Sequence, residues 1–108
     1  MIMPSSELSV VFFYVYLLRS MTNGNLYIGF AHDLKKRIDE HNKGLNRSTK
    51  AFMPWELIYY EAHKEETDAR RREKYLKSSQ GARLLKRRLK EYFYERRAMQ
   101  SSTTWYAR

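Results

Sequence analysis

Cysteine is absent from this 108-residue sequence, which excludes disulfides, thiolate zinc sites and cysteine nucleophiles. Any metal would have to be held by oxygen or imidazole, and the composition fits a chain made in a reducing compartment, so a cytoplasmic location is expected. Long apolar runs are lacking as well. Val10 to Leu18 is the one candidate. It reaches only about half of the ~20 residues a membrane span needs, and the acidic Glu7 precedes it where a targeting signal carries bases. No internal repeat is present. What remains is one small domain, and its 16 aromatic residues are too many for a disordered chain.

Negative charge is also in short supply, with 12 Asp and Glu against 21 Lys and Arg, a net charge of +9. The excess is uneven: net zero over residues 1–30, +1 over 31–62 and +8 over 63–108. Such a surface favours a polyanion, because each phosphate it neutralises releases condensed counterions. Nucleic acid is the first candidate and an anionic membrane the second. Charge alone decides neither sequence preference nor chemistry.

The hydrophobic pattern predicts an α+β domain over residues 10–97, with an extension at 1–9 and a flexible tail at 98–108. Val11 to Leu18, interrupted only by tyrosine hydroxyls, reads as a strand covered on both faces and central in its sheet. Asn23-Gly24 supplies a hairpin turn, and Leu26 to Phe30 returns as an antiparallel neighbour. Asp33 caps a short helix over 34–43 that stops at Gly44. Pro54 precedes a third strand, Trp55 to Ala62. Glu65, Glu66 and Asp68 open a second helix, Ser78 to Gly81 breaks it, and Arg83 to Arg97 forms a third with Leu85, Leu89, Tyr92 and Phe93 on one stripe. The predicted fold is a three-stranded antiparallel sheet flanked by three or more helices.

Several polar residues share a side with these apolar stripes. Arg37 and His41 are four apart and lie on the side of Leu34. Glu73 falls four after Ala69 and three before Leu76, so a carboxylate occupies the inward face of the second helix. Simpler readings stand beside each. Glu73 can pair with Lys77 or Arg70 for about 0.3–0.5 kcal/mol. Arg37 and His41 can be a hydrogen-bonded pair at the core edge. His32 and His63 read as loop histidines, and Tyr14, Tyr16, Tyr27, Tyr59 and Tyr60 as core tyrosines.

Taken together, Tyr14-Val15-Tyr16, then Tyr27-Ile28-Gly29, then Arg37 and His41, then Glu73, resemble the GIY-YIG nuclease family. The segments HNKG (41–44), PWELIYYE (54–61) and ARRREKYLK (69–77) are similar to its small single-domain bacterial members. The chain departs from the family pattern in three places. Val15 and its neighbours lack the first-triplet glycine, Ala31 replaces a polar residue, and no Asn follows Asn46.

The resemblance implies a metal-dependent endonuclease that hydrolyses phosphodiester bonds in DNA, structure-directed or non-specific, in DNA repair or processing, with RNA left open as a substrate. It implies one divalent cation, Mg²⁺ or Mn²⁺, on Glu73, and no small-molecule cofactor or membrane. Tyr16 and Tyr27 would orient or deprotonate water, His41 would assist, and Arg37 would stabilise phosphate charge. Arg37 and the cation would both favour phenolate over phenol. Gly29 would let a backbone or phosphate approach the hairpin. Arg70, Arg71, Arg72, Lys86, Arg87 and Lys90, with Lys35, Lys36, Arg47 and Lys50, are candidates for contacting the nucleic-acid backbone. The alternatives are a nucleic-acid-binding module that does not cut, and a basic protein on an anionic membrane or acidic partner.

Overall fold

The computed structural model describes residues 11–96 and the backbone of Trp105–Ala107. The extension at 1–9 lies outside the described residues. The strands β1 (Phe13–Ser20), β2 (Leu26–Ala31) and β3 (Trp55–His63) form an antiparallel sheet with β1 in the middle, as its uninterrupted apolar pattern requires. A short strand β4 (Trp105–Ala107) from the C-terminal segment adds to it in parallel beside Leu26–Ile28 of β2. Among the described residues four α-helices, α1 (Leu34–Asn42), α2 (Glu66–Leu76), α3 (Ser79–Arg88) and α4 (Lys90–Glu95), and a 3-10 turn at Lys50–Phe52 complete the fold. Among the described residues no helix is long and apolar enough to cross a membrane.

Alternation along the strands sorts the side chains into two cores. Val15 and Leu17 of β1 join Leu26, Ile28 and Phe30 of β2 on one face, where Ala69 and Leu76 of α2, Leu85 of α3 and Phe93 of α4 cover them. Tyr16 and Leu18 join Tyr27, Ala31 and Trp55 on the other face, against Leu34 and Ile38 of α1. The register between β1 and β3 shifts after Leu17, so Leu57 faces α1 while Ile58 and Tyr59 pack with the other core.

Local signals hold at most element ends. Asp33 accepts a hydrogen bond from the Lys36 amide at 3.1 Å, and Gly44 takes the positive φ of 74° that ends α1. At the hairpin only Gly24 has positive φ, at 80°, and the Ser20 hydroxyl accepts from the amides of Thr22 and Asn23. β1 runs on through Arg19 and Ser20, both fully buried, where the apolar pattern stops at Leu18.

The region after α2 departs from the sequence expectation. Ser78 is an N-cap whose hydroxyl accepts from the Gly81 amide at 3.1 Å, so Gly81 lies inside a helix rather than in a break. A Cβ on Gly81 would overlap the Tyr75 carbonyl and the Leu76 backbone, so glycine here serves the close approach of α3 to α2. The expected helix from Arg83 onward is two helices, interrupted where Leu89 leaves helical geometry at φ −109°, ψ 29°. A tertiary contact competes with the continuous stripe: the Tyr92 hydroxyl donates to Glu56 on β3 at 2.8 Å and ties α4 to the sheet.

Helix α2 is held to β3 by a polar clamp. Arg72 Nε and Nη2 each donate to the Glu61 carboxylate at 2.8 Å, and the Tyr59 hydroxyl donates to it at 2.7 Å. Burial alone would raise the Glu61 carboxyl, but hydrogen bonds from Arg72, Tyr59 and His63 outweigh it and bring its pKa down to about 2. A carboxylate depressed in the folded state stabilises the fold above its unfolded value near 4.5, and that contribution fades as pH falls toward 2. Urea midpoints measured from pH 6 to pH 2 are therefore expected to drop more steeply between pH 4.5 and 2 for the wild type than for Glu61→Gln.

Candidate active site

The site forms where β1 and β2 meet α1. Tyr16 on β1 is paired across the sheet with Gly29 on β2. A Cβ on Gly29 would overlap the end of the Tyr16 ring and its hydroxyl oxygen, so that end of the side chain lies over the glycine. The space at Gly29 is thus filled by a tyrosine rather than left for an incoming phosphate.

The hydroxyl meets His41 Nε2 at 2.7 Å, and the Tyr27 ring packs edge-on against the same imidazole at 5.1 Å between centroids. Tyr16, Tyr27 and His41 are all buried. His41 reaches this position because α1 presents it seven residues after Leu34, on the stripe that faces the sheet. Its other nitrogen, Nδ1, is 2.7 Å from the Thr49 hydroxyl. Thr49 carried no signal in the sequence, being one polar residue in a polar loop, yet it is fully buried. Asn42, the neighbour of His41, is a second residue the sequence left unassigned. Its amide accepts from the Trp55 N–H at 2.6 Å and donates to the Trp55 carbonyl at 3.0 Å, which fixes the start of β3 against α1.

Burial pushes the Tyr16 hydroxyl well above the usual tyrosine range, and Tyr27 adds to the shift. Arg37 opposes it by its charge but is outweighed, so the protein's own groups by themselves hold Tyr16 as a neutral phenol. Burial and the Arg37 charge lower His41 to about 4, with Glu40 pulling weakly the other way. A neutral imidazole beside a neutral phenol is the resting pair.

Arg37 is partly exposed, and its guanidinium is anchored. Its Nη1 donates to the Phe30 carbonyl at 3.2 Å, and its Nε pairs with Glu40 at 3.2 Å. Phe30 lies beyond the stretch of β2 that β4 accompanies. A cavity of about 160 Å³ opens there, lined by His32, Asp33, Lys36, Arg37 and Glu40.

Glu73 faces inward, as its spacing on α2 requires, with 15% of its side chain exposed. α2 packs on the other face of the sheet, but the Glu73 charge still reaches Tyr16 and disfavours its phenolate. The simpler pairing considered for this residue is also present: Lys77 Nζ is 2.9 Å from Glu73 Oε2. Among the described residues no three His, Asp or Glu side chains converge on a possible metal position.

The expected phosphate-contacting bases divide. Lys35, Lys36, Arg47 and Lys50 are exposed on α1 and the loop after it, on the side of the tyrosine hydroxyls. Arg70 lies 3.7 Å over the Phe30 ring and pairs with Glu66, Arg71 pairs with Asp68, and Arg72 is committed to Glu61. Lys86 and Arg87 on α3 and Lys90 on α4 are exposed on helices that cover the opposite face of the sheet. The most basic part of the sequence therefore does not surround the Tyr16–His41 pair. Of the five tyrosines read as core, Tyr60 is instead exposed.

A family model described as the GIY-YIG catalytic domain matches residues 12–86, which include Tyr16, Tyr27, Gly29, Arg37, His41 and Glu73. A UPF0213 protein of Staphylococcus saprophyticus is 35% identical over 74 residues, covering 68% of this chain and 89% of the relative. A UPF0213 protein of Staphylococcus aureus (strain Mu50) is 33% identical over 66 residues, covering 60% of this chain and 79% of the relative. No solved structure matches.

Two outcomes follow from this geometry. Gly29→Ala forces the Tyr16 ring to move and is expected to cost about 1–3 kcal/mol in denaturant unfolding, with a change in the near-ultraviolet tyrosine signal. His41, lowered to about 4, is expected to show no imidazole titration by NMR between pH 5 and 8. Because its folded value lies below the unfolded 6.5, the stability held by the neutral ring is present above pH 6.5 and is lost as pH falls toward 4.

Proposed function

The chain belongs to the GIY-YIG family, and from that premise we propose that it is a metal-dependent endonuclease hydrolysing phosphodiester bonds in DNA, without sequence preference. The observation that carries this reading is the 2.7 Å hydrogen bond between the Tyr16 hydroxyl and His41 Nε2, with Arg37 acting on the same hydroxyl.

A neutral phenol is a poor base by itself, but it serves as a relay when a second acceptor stands behind it. Tyr16 takes a proton from the attacking water as its own proton passes to His41 Nε2. The water oxygen then bonds to phosphorus, and the bond to the leaving alkoxide breaks. Tyr27, packed against both rings, orients the pair. Arg37, fixed by Phe30 and Glu40 with its guanidinium partly exposed, offsets charge on the phosphate oxygens. Lys35, Lys36, Arg47 and Lys50 position the nucleic-acid backbone from the α1 side, which makes binding steeply salt-dependent.

Glu73 would hold the cation. A single inward carboxylate fits Mg²⁺ or Mn²⁺, since these ions keep several waters and take substrate phosphate oxygens. When bound, such a cation neutralises charge developing on the phosphate.

The Glu73–Lys77 pair favours a second reading, a nucleic-acid-binding module in which Glu73 serves only to anchor α2. A panel of single-stranded, duplex and branched DNA with Mg²⁺ or Mn²⁺ separates the two. Cleavage by the wild type that falls about 100- to 1,000-fold in Glu73→Ala and in Arg37→Ala is the expected result. Equal cleavage by wild type and Glu73→Ala would reject the mechanism. Salt-sensitive binding without cleavage under either metal would establish the binding module.

A further inference from the structure

The loop between α1 and β3 is tied into the site by a closed ring of hydrogen bonds. Trp55 Nε1 donates to the Thr49 carbonyl at 2.8 Å, Asn42 clasps the Trp55 backbone, and Asn42 adjoins His41, whose Nδ1 meets the Thr49 hydroxyl. Thr49 and His41 are both fully buried, so no solvent competes for these bonds.

Both ends of the imidazole ask for the same proton placement. The Tyr16 hydroxyl has one hydrogen to give, and His41 Nε2 at 2.7 Å is its hydrogen-bond partner among the described residues. At the other end the Thr49 hydroxyl can donate to the Asn46 carbonyl at 3.5 Å, which turns an oxygen lone pair toward Nδ1. The consistent tautomer carries hydrogen on Nδ1 and a lone pair on Nε2.

We propose, resting on the nuclease reading, that Thr49 is a positioning residue whose hydroxyl locks His41 in the Nδ1–H tautomer and thereby keeps Nε2 open to the Tyr16 proton. Thr49 touches neither substrate nor the reacting atoms. It acts by removing the alternative in which Nε2–H points at Tyr16, a form that accepts no proton. As a neutral group it fixes the ring without a charge behind it, unlike the carboxylate that commonly plays this part.

Imidazole ¹⁵N spectra of the full chain read the tautomer without substrate. The wild type is expected to show a protonated Nδ1 and an unprotonated Nε2 at His41. Thr49→Val, which keeps the shape and removes the hydroxyl, is expected to give mixed tautomers and a kcat about 10- to 100-fold lower, with KM for DNA unchanged. Thr49→Ser is expected to restore both. Nε2–H in the wild type, or an unaltered tautomer in folded Thr49→Val, overturns the proposal. Should Thr49→Val fail to fold, the wild-type and Thr49→Ser spectra decide. A wild type with the expected tautomer and no cleavage would reject the nuclease reading and leave the tautomer lock standing.

Discussion

Tyr16 crosses the sheet over a residue that has no side chain, and the site is arranged around that crossing. The ring lies on Gly29, its hydroxyl emerges where α1 presents His41, and Tyr27 closes against both rings. The same crossing is a packing constraint, because Tyr16 and Tyr27 are also members of the core that seats α1 on the sheet. The geometry of the candidate site and the core packing therefore draw on the same atoms. Burial is what makes the hydrogen bond short and unscreened, and it is also what keeps the phenol and imidazole neutral.

Carboxylates divide the work of placing α2. Glu61 holds Arg72 from β3 and fixes the helix, while Glu73, one residue further along, faces inward with Lys77 on one of its oxygens. The buried apolar residues Ala69 and Leu76 fasten the same helix to the sheet. The bases on either side of Glu73 are thus largely structural, with Arg70 lying on Phe30 and Arg72 locked to Glu61. What is left to meet a polyanion near the tyrosines is the set on α1 and the following loop, and Arg37 is the member held at a defined place by the Phe30 carbonyl.

Much of this was legible in the sequence where the signal is local. The spacing of Glu73 between Ala69 and Leu76 placed its carboxylate inward. Asp33 and Gly44 marked the ends of α1. The unbroken apolar run of β1 announced a central strand, and the order of the motifs pointed to the family. Less was legible where a distant contact competes with local periodicity. The stripe from Leu85 to Phe93 reads as one helix, but Tyr92 binding Glu56 accompanies a break at Leu89. Gly81 reads as a helix breaker, but the close approach of α3 to the end of α2 needs it inside the helix. Thr49 could not be told from its polar neighbours, since its burial depends on Trp55 and Asn42 arriving from elsewhere.

By itself the sequence determined which face of α1 and of α2 turns inward, because that follows from the helical period and the distribution of apolar side chains. It also determined the donor chemistry, oxygen and imidazole without sulfur. Only the tertiary structure decided which face of the sheet each basic helix covers, that Tyr16 rather than a phosphate fills the space at Gly29, and that burial outweighs Arg37 in setting the protonation of Tyr16. Those outcomes depend on distances and desolvation between residues far apart in the chain, and a linear pattern carries no information about either.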